Sequence, residues 1–146
     1  LTSFGTSPQA YLRDHPDPRY KYIAVSAIVF DTINPSSPRI LLVQRAASDS
    51  MPNQWEVPGG GCDEDDHTIL HSAARELWEE TGLKAKRILS LVGSPHIFTS
   101  SSGKAVIKFN FLVEAHRTDE GGFEVSLDPK EHQRFLWATE DEACLG

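Results

Sequence analysis

Between Asp66 and Thr81 the apolar residues Ile69, Leu70, Ala73, Ala74 and Leu77 recur at three- and four-residue spacing, which marks one face of an amphipathic helix. A stripe of that width needs a second layer to cover it. The rest of the chain supplies strands for that layer. Tyr22–Phe30 is β-branched, aromatic and almost wholly apolar, as expected of a strand buried on both faces. Arg39–Arg45 reads as its hairpin partner across an Asn34–Pro38 turn, and Ile88–Val92, Ala105–Ala115 and Phe135–Ala138 read as further strands. Ser100–Gly103 has the composition of a hairpin tip, and Gly121-Gly122 marks another loop. The spacing predicts a helix over 66–81, capped at its start by Asp65 or Asp66 and at its end by Gly82. Residues 1–21, with Pro8, Pro16 and Pro18 and no sustained period, read as an N-terminal arm. The expected architecture is therefore an α/β domain of the α+β type over residues 22–146.

Length and composition agree with one ordinary domain. The chain has 146 residues, 39% of them hydrophobic and 24% charged, so neither a disordered tail nor a fibre is indicated. Its net charge of −7 argues against a nucleic-acid polymer as partner, because such partners need a basic face. The longest apolar run is nine residues, Tyr22–Phe30, too short to cross a membrane. No signal-peptide pattern opens the chain. Two cysteines, Cys62 and Cys144, make no disulfide framework. A cytoplasmic protein is the expectation.

The acid is concentrated. Residues 63–82 hold seven acids and one base, Arg75, and so account for six of the seven net negative charges. Within the helix, Glu76, Glu79 and Glu80 stand at i, i+3 and i+4 on one side, away from the apolar stripe. Like charges at that spacing repel by a few tenths of a kcal/mol per pair, and they crowd the helix end that disfavours anions. A solvated acidic face would look the same. A hard divalent cation would offset the repulsion, and the adjoining Trp55-Glu56-Val57-Pro58-Gly59-Gly60-Gly61 run offers backbone that a ligand can approach closely.

Arg75-Glu76-Leu77-Trp78-Glu79-Glu80-Thr81-Gly82-Leu83 resembles the second half of the Nudix box, Gly-x5-Glu-x7-Arg-Glu-U-x-Glu-Glu-x-Gly-U, where U is a bulky aliphatic residue. Five fixed identities in that stretch arise by chance in roughly one window in 10⁶ at average residue frequencies. The Trp55–Gly60 run resembles the approach to the Nudix helix. The first half of the box departs from the pattern. Counting back from Arg75 puts His67 where the first glutamate belongs; counting forward from Gly60 puts Asp66 there, with one extra residue before Arg75.

The resemblance implies a Nudix-like α/β/α sandwich with a central mixed sheet and one catalytic helix. It implies Mg²⁺-dependent hydrolysis (Mn²⁺ as the alternative ion) of the diphosphate bond in a small nucleoside diphosphate linked to another group. Glu76, Glu79 and Glu80 would hold the metal, with the Gly60 carbonyl as a further ligand, and Arg75 would orient the carboxylates. Arg45, Gly59 and Gly60 are the substrate-binding candidates. The general base would be a helix glutamate or Glu131, which precedes the last strand. The departure at His67 motivates the alternative of a catalytically weak Nudix-fold module that binds a nucleotide or a partner. His67 and His71 share a helix face but lack a third zinc ligand. Trp55, Trp78 and Trp137 read as packing residues, and Phe98 as either packing or a nucleobase platform.

Overall fold

The computed structural model describes the backbone of residues 1–32 and 35–145, and side chains as far as Glu142. Asn34, at the start of the expected turn, and the Cys144 side chain lie outside the described residues. The elements are α1 (Pro8–Asp14), β1 (Tyr22–Asp31), β2 (Arg39–Arg45), β3 (Trp55–Glu56), β4 (Gly59–Gly61), α2 (Ile69–Thr81), β5 (Ala85–Leu91), β6 (His96–Thr99), β7 (Ala105–Ala115), β8 (His132–Thr139) and α3 (Glu140–Leu145). They build a mixed α+β fold around one eight-stranded sheet in the order β3-β2-β1-β7-β5. Off that path, β4 pairs with β1, β6 with β7 and β8 with β2.

The sheet is mixed because β1 and β7 run parallel, from Tyr22↔Val106 to Val29↔Val113, while the other pairings are antiparallel. The β1–β2 hairpin and the Ser100–Gly103 tip occur as expected, with Gly103 at φ +83 closing the tip. Side chains alternate across a strand, and one face carries the core: Ile23, Val25, Ala27 and Val29 of β1 with Ile107, Phe109, Phe111 and Val113 of β7. Onto that face α2 lays Ile69, Ala73 and Leu77, each fully buried. Gly82 ends α2 at φ +72, and its N–H donates to the Trp78 carbonyl at 2.8 Å.

Several expectations are corrected. The segment expected to be an arm folds onto the core: α1 follows a Ser7 cap, and Phe4 and Tyr11 pack edge-on against Phe109. Prolines hid this helix, since Pro8 occupies its first turn, where a missing N–H costs nothing. Helix α2 begins at Ile69 rather than 66, with Thr68 as its cap, because the Asp66 carboxylate is engaged elsewhere. The glycine run, which carries no side-chain period, forms a strand, Gly59–Gly61 pairing with Ser26, Val25 and Ala24. Trp78 is 57% exposed, on the side of α2 away from the sheet. Among the described residues, no helix is long and apolar enough to cross a membrane.

Candidate active site

The glycine strand is fixed before any side chain is considered. Ala27 N–H donates to the Pro58 carbonyl at 2.8 Å and Cys62 N–H to the Ile23 carbonyl at 2.9 Å, bracketing the β1–β4 ladder. A side chain at Gly59 would collide with the Val25 carbonyl, and one at Gly60 would lie 2.7 Å from the Glu76 carboxylate. Both positions therefore need glycine for close approach, and Gly60 sits directly on Glu76.

Beneath this strand the three helix glutamates separate. Glu80 is only 6% exposed and accepts the Gly59 N–H at 3.0 Å. Burial pushes its carboxyl up to about 8, against the opposing pull of that N–H and of His132. Glu76, half-buried, is also raised, by burial first, with Arg75 opposing and Glu79 and Glu131 adding to the rise. Glu79 is half-exposed and turns to Arg75 at 3.0 Å. The three glutamates expected on one side of the helix, outside the core, therefore differ: Glu80 is buried, Glu76 is pressed under the loop, and Glu79 is outside.

Arg75 is the hub of the acidic segment. Its Nε and Nη2 donate to the two Asp66 oxygens at 2.8 and 3.0 Å, its Nη1 to Glu76 at 3.1 Å, and its Nη2 also to the Gly61 carbonyl at 3.2 Å. Asp66 is itself buried and accepts from Ser72 Oγ at 2.7 Å and from the Asp63 N–H at 2.8 Å. Burial alone would raise its carboxyl, but these donors outweigh it and hold Asp66 at about 2. His67 is exposed, and among the described residues the ring it meets is that of His71, at 5.7 Å. Of the two residues that the box's first half could place there, Asp66 is the one that meets Arg75, and His67 is not.

Sequence reasoning missed a second network. Arg45, at the end of β2, donates to Glu56 at 3.0 Å and to Asp49 at 2.7 Å. Glu56 also meets the Nε2 of His132 at 2.9 Å. His132 is 3% exposed, and its Nδ1 is the one buried side-chain nitrogen or oxygen without a hydrogen-bond partner among the described residues. Burial would raise Glu56, but His132 and Arg45 hold it low; His132 is raised in turn, its carboxylate neighbours overcoming its burial. One potential ligand atom from each of Glu56, Glu80 and His132 lies within 4.8 Å of the other two. The signal for Glu56 was its place two residues before Pro58-Gly59; His132, inside a polar stretch, carried none. Glu131 is exposed, and its backbone carbonyl accepts the Ala46 N–H at 2.9 Å; its charge reaches both Glu76 and His132.

A cleft of about 330 Å³ opens from the glycine strand and is lined by Arg45, Glu56, Gly59, Gly60 and the β6–β7 hairpin. A larger hollow of about 710 Å³ lies elsewhere, around Phe30, Leu112 and Arg117, and contains none of the acidic cluster. The α2 carboxylates line neither, but the smaller one adjoins the glycine strand that lies on Glu76 and Glu80.

The sequence profile described as the NUDIX domain matches residues 21–145. A CTP pyrophosphohydrolase of Escherichia coli (strain K12) is 30% identical over 105 residues, spanning 72% of this chain and 70% of that protein. An RNA pyrophosphohydrolase of Rhizobium meliloti (strain 1021) is 40% identical over 50 residues, 34% of this chain and 29% of that one. This chain therefore aligns with less than a third of that second relative. Among solved structures, the MutT protein of Methanosarcina mazei Go1 superposes with a TM-score of 0.61 at 26% identity, covering 83% of this chain and 78% of that chain. A profile match that runs from the first core strand through the last one leaves no other assignment for the domain: the chain belongs to the Nudix family of pyrophosphate-bond hydrolases.

Proposed function

We propose that this protein hydrolyses the diphosphate bond of a small nucleoside diphosphate derivative, using a divalent cation held by the carboxylates of α2. The observation that carries the reading is the pairing of a buried Glu80 under the Gly59 N–H with a Glu76 carboxylate pressed against Gly60. Two carboxylates withdrawn from water, with Arg75 reaching Glu76 but not Glu80, are hard oxygen donors that fit a hard cation. Nudix proteins generally use divalent cations, and Mg²⁺ is the ion we assign, with Mn²⁺ as its substitute. Glu76, Glu79, Glu80 and the Gly60 carbonyl would hold it. The bound ion would neutralise the diphosphate and acidify a water.

The chain's own residues do the rest. Asp66 clamps Arg75, and Arg75 holds Glu76 and Glu79 in place through a charge-assisted fork. The Gly59–Gly60 backbone lets the diphosphate approach without obstruction. Arg45, kept rigid by Glu56 and Asp49, faces the diphosphate from β2. Glu131, on the open side next to Glu76 and His132, takes the proton of the attacking water. Catalysis of this kind is mostly positioning and charge stabilisation.

The alternative of a weak binding module drew on His67. The Asp66–Arg75 pair supplies the support that a glutamate at His67 would have given, so the hydrolase reading is favoured. A panel of CTP and the other nucleoside triphosphates, ADP-ribose, dinucleoside polyphosphates, nucleotide sugars and a 5′-triphosphorylated RNA tests it. Expected is cation-dependent cleavage of at least one small nucleotide, abolished by EDTA, with the RNA no better than the small substrates. Cleavage of none of the panel in either cation would overturn the reading.

A further inference from the structure

Residues 1–15 precede the matched domain, which starts at residue 21, yet they are tied to the segment that leads into α2. The first N–H groups of a helix have no partner within it, and that of Ile69 donates to the Thr6 carbonyl at 2.9 Å. Nearer the glycine strand, Gln9 Nε2 donates to the Glu64 carbonyl at 3.2 Å. Asp66 lies between these two attachments, in a tight turn. Its N–H donates to the Asp63 carbonyl at 3.1 Å, and its carboxylate accepts the Asp63 N–H at 2.8 Å.

Apolar packing fixes the N-terminal segment from which those two bonds come. Phe4 and Tyr11 are buried, and their rings stack at 5.7 Å. Phe4 meets Phe109 edge-on at 4.9 Å and Phe111 at 5.3 Å. Both aromatic residues belong to the same core cluster as Ile69, Ala73 and Leu77. Thr6 and Gln9 lie between the two anchors in sequence, so burial of Phe4 and Tyr11 sets where their hydrogen bonds fall. Neither Thr6 nor Gln9 lines the cleft.

We propose that residues 1–15 are a positioning element for the reaction: they fix the turn that carries Asp66, and Asp66 fixes the Arg75 fork on Glu76 and Glu79. The proposal rests on the reading that the α2 carboxylates hold the cation. A bidentate arginine–carboxylate pair demands a defined geometry, so a small displacement of Asp66 loosens Arg75 and the glutamates that Arg75 orients. Phe4 and Gln9 then influence turnover without touching substrate. The chain of contacts is Phe4 to the segment, the segment to the turn, Asp66 to Arg75, and Arg75 to the glutamates.

Amide hydrogen exchange and steady-state cleavage, both on the full chain, test this. Phe4→Ala removes one anchor, Gln9→Glu keeps the length of the side chain but loses its donor, and Gln9→Lys keeps a donor. In Phe4→Ala and Gln9→Glu the Asp63 and Ile69 amides are expected to exchange about tenfold faster relative to those of β7. Turnover should fall about fivefold in Phe4→Ala and about threefold in Gln9→Glu, with KM for the nucleotide held within about twofold, and Gln9→Lys should restore it. In an Asp66→Asn background neither substitution should lower kcat further, because effects that act through one group do not add. Unchanged exchange at Asp63 and Ile69, unchanged kcat, or losses that add in full to that of Asp66→Asn would overturn the proposal. Should Phe4→Ala not fold, the two Gln9 variants decide by the same readouts. Failure of the hydrolase reading shows separately, as absence of cleavage by the wild-type chain, and the exchange rates still decide whether the segment holds the turn.

Discussion

At the scale of single residues, the site depends on one aspartate that was legible only as an alternative. Spacing alone left His67 and Asp66 equally placed, because a helix register counted from either end of the box is self-consistent. Three donors converge on a buried Asp66, and none on His67 among the described residues. Its carboxyl sits at about 2 in the fold against 3.8 in a free chain. Because the folded value is the lower one, the stabilisation is fully present above pH 3.8 and is lost as pH falls towards about 2; it amounts to about 2 kcal/mol. Asp66→Asn should flatten that acid limb in urea unfolding followed from pH 5 to 2, and should lower turnover by releasing Arg75. An unchanged limb would remove Asp66 from the account. Conversely, His67→Glu should change neither kcat nor stability, since His67 touches only a neighbouring ring. Gly60→Ala should reduce turnover sharply, because its methyl would lie 2.7 Å from the Glu76 carboxylate; this is read as kcat in a variant whose unfolding midpoint is retained.

Elements differ in how much of themselves they display. The α2 stripe and the eleven residues of β7 were legible from periodicity alone. The start of β8 was not, because His132, Gln133 and Arg134 are polar and pair by register rather than by pattern. β4 is three glycines, which carry no side-chain signal, and β6 is only four residues long. Helix α1 spans seven residues, too short for a repeat to show. The same logic explains the site: Glu76, Glu79, Glu80 and Arg75 share one helix and so betray themselves by spacing, whereas Glu56 and His132 meet across 76 residues. The stripe also sets the stability of α2. Leu77 is fully buried, so Leu77→Ala should cost about 2–5 kcal/mol, measured by urea unfolding. A loss below about 1 kcal/mol would mean that α2 is not clamped to the sheet as described.

For the molecule as a whole, the acidity that argued against nucleic-acid polymers resolves into two poles. The acidic segment 63–82 surrounds α2 and the glycine strand, while Arg45, Lys104 and Lys108 line the cleft. One pole calls for a cation and the other for an anion, and a nucleotide diphosphate with its divalent ion satisfies both. Helices α1 and α2 both cover one sheet face, which leaves the other free for the cleft. Binding to the folded state alone raises stability by mass action, so Mg²⁺ or Mn²⁺ should raise the unfolding temperature of the wild-type chain and EDTA should reverse the rise. Glu80→Gln, which keeps the shape but cannot ionise to hold a cation, should abolish that response without lowering the midpoint of the metal-free protein. The most direct test is steady-state cleavage of the best substrate from the panel by Glu80→Gln against wild type in Mg²⁺. Expected is a loss in kcat of at least a hundredfold, about 3 kcal/mol of transition-state stabilisation, in a fully folded variant. Wild-type turnover by Glu80→Gln would contradict it.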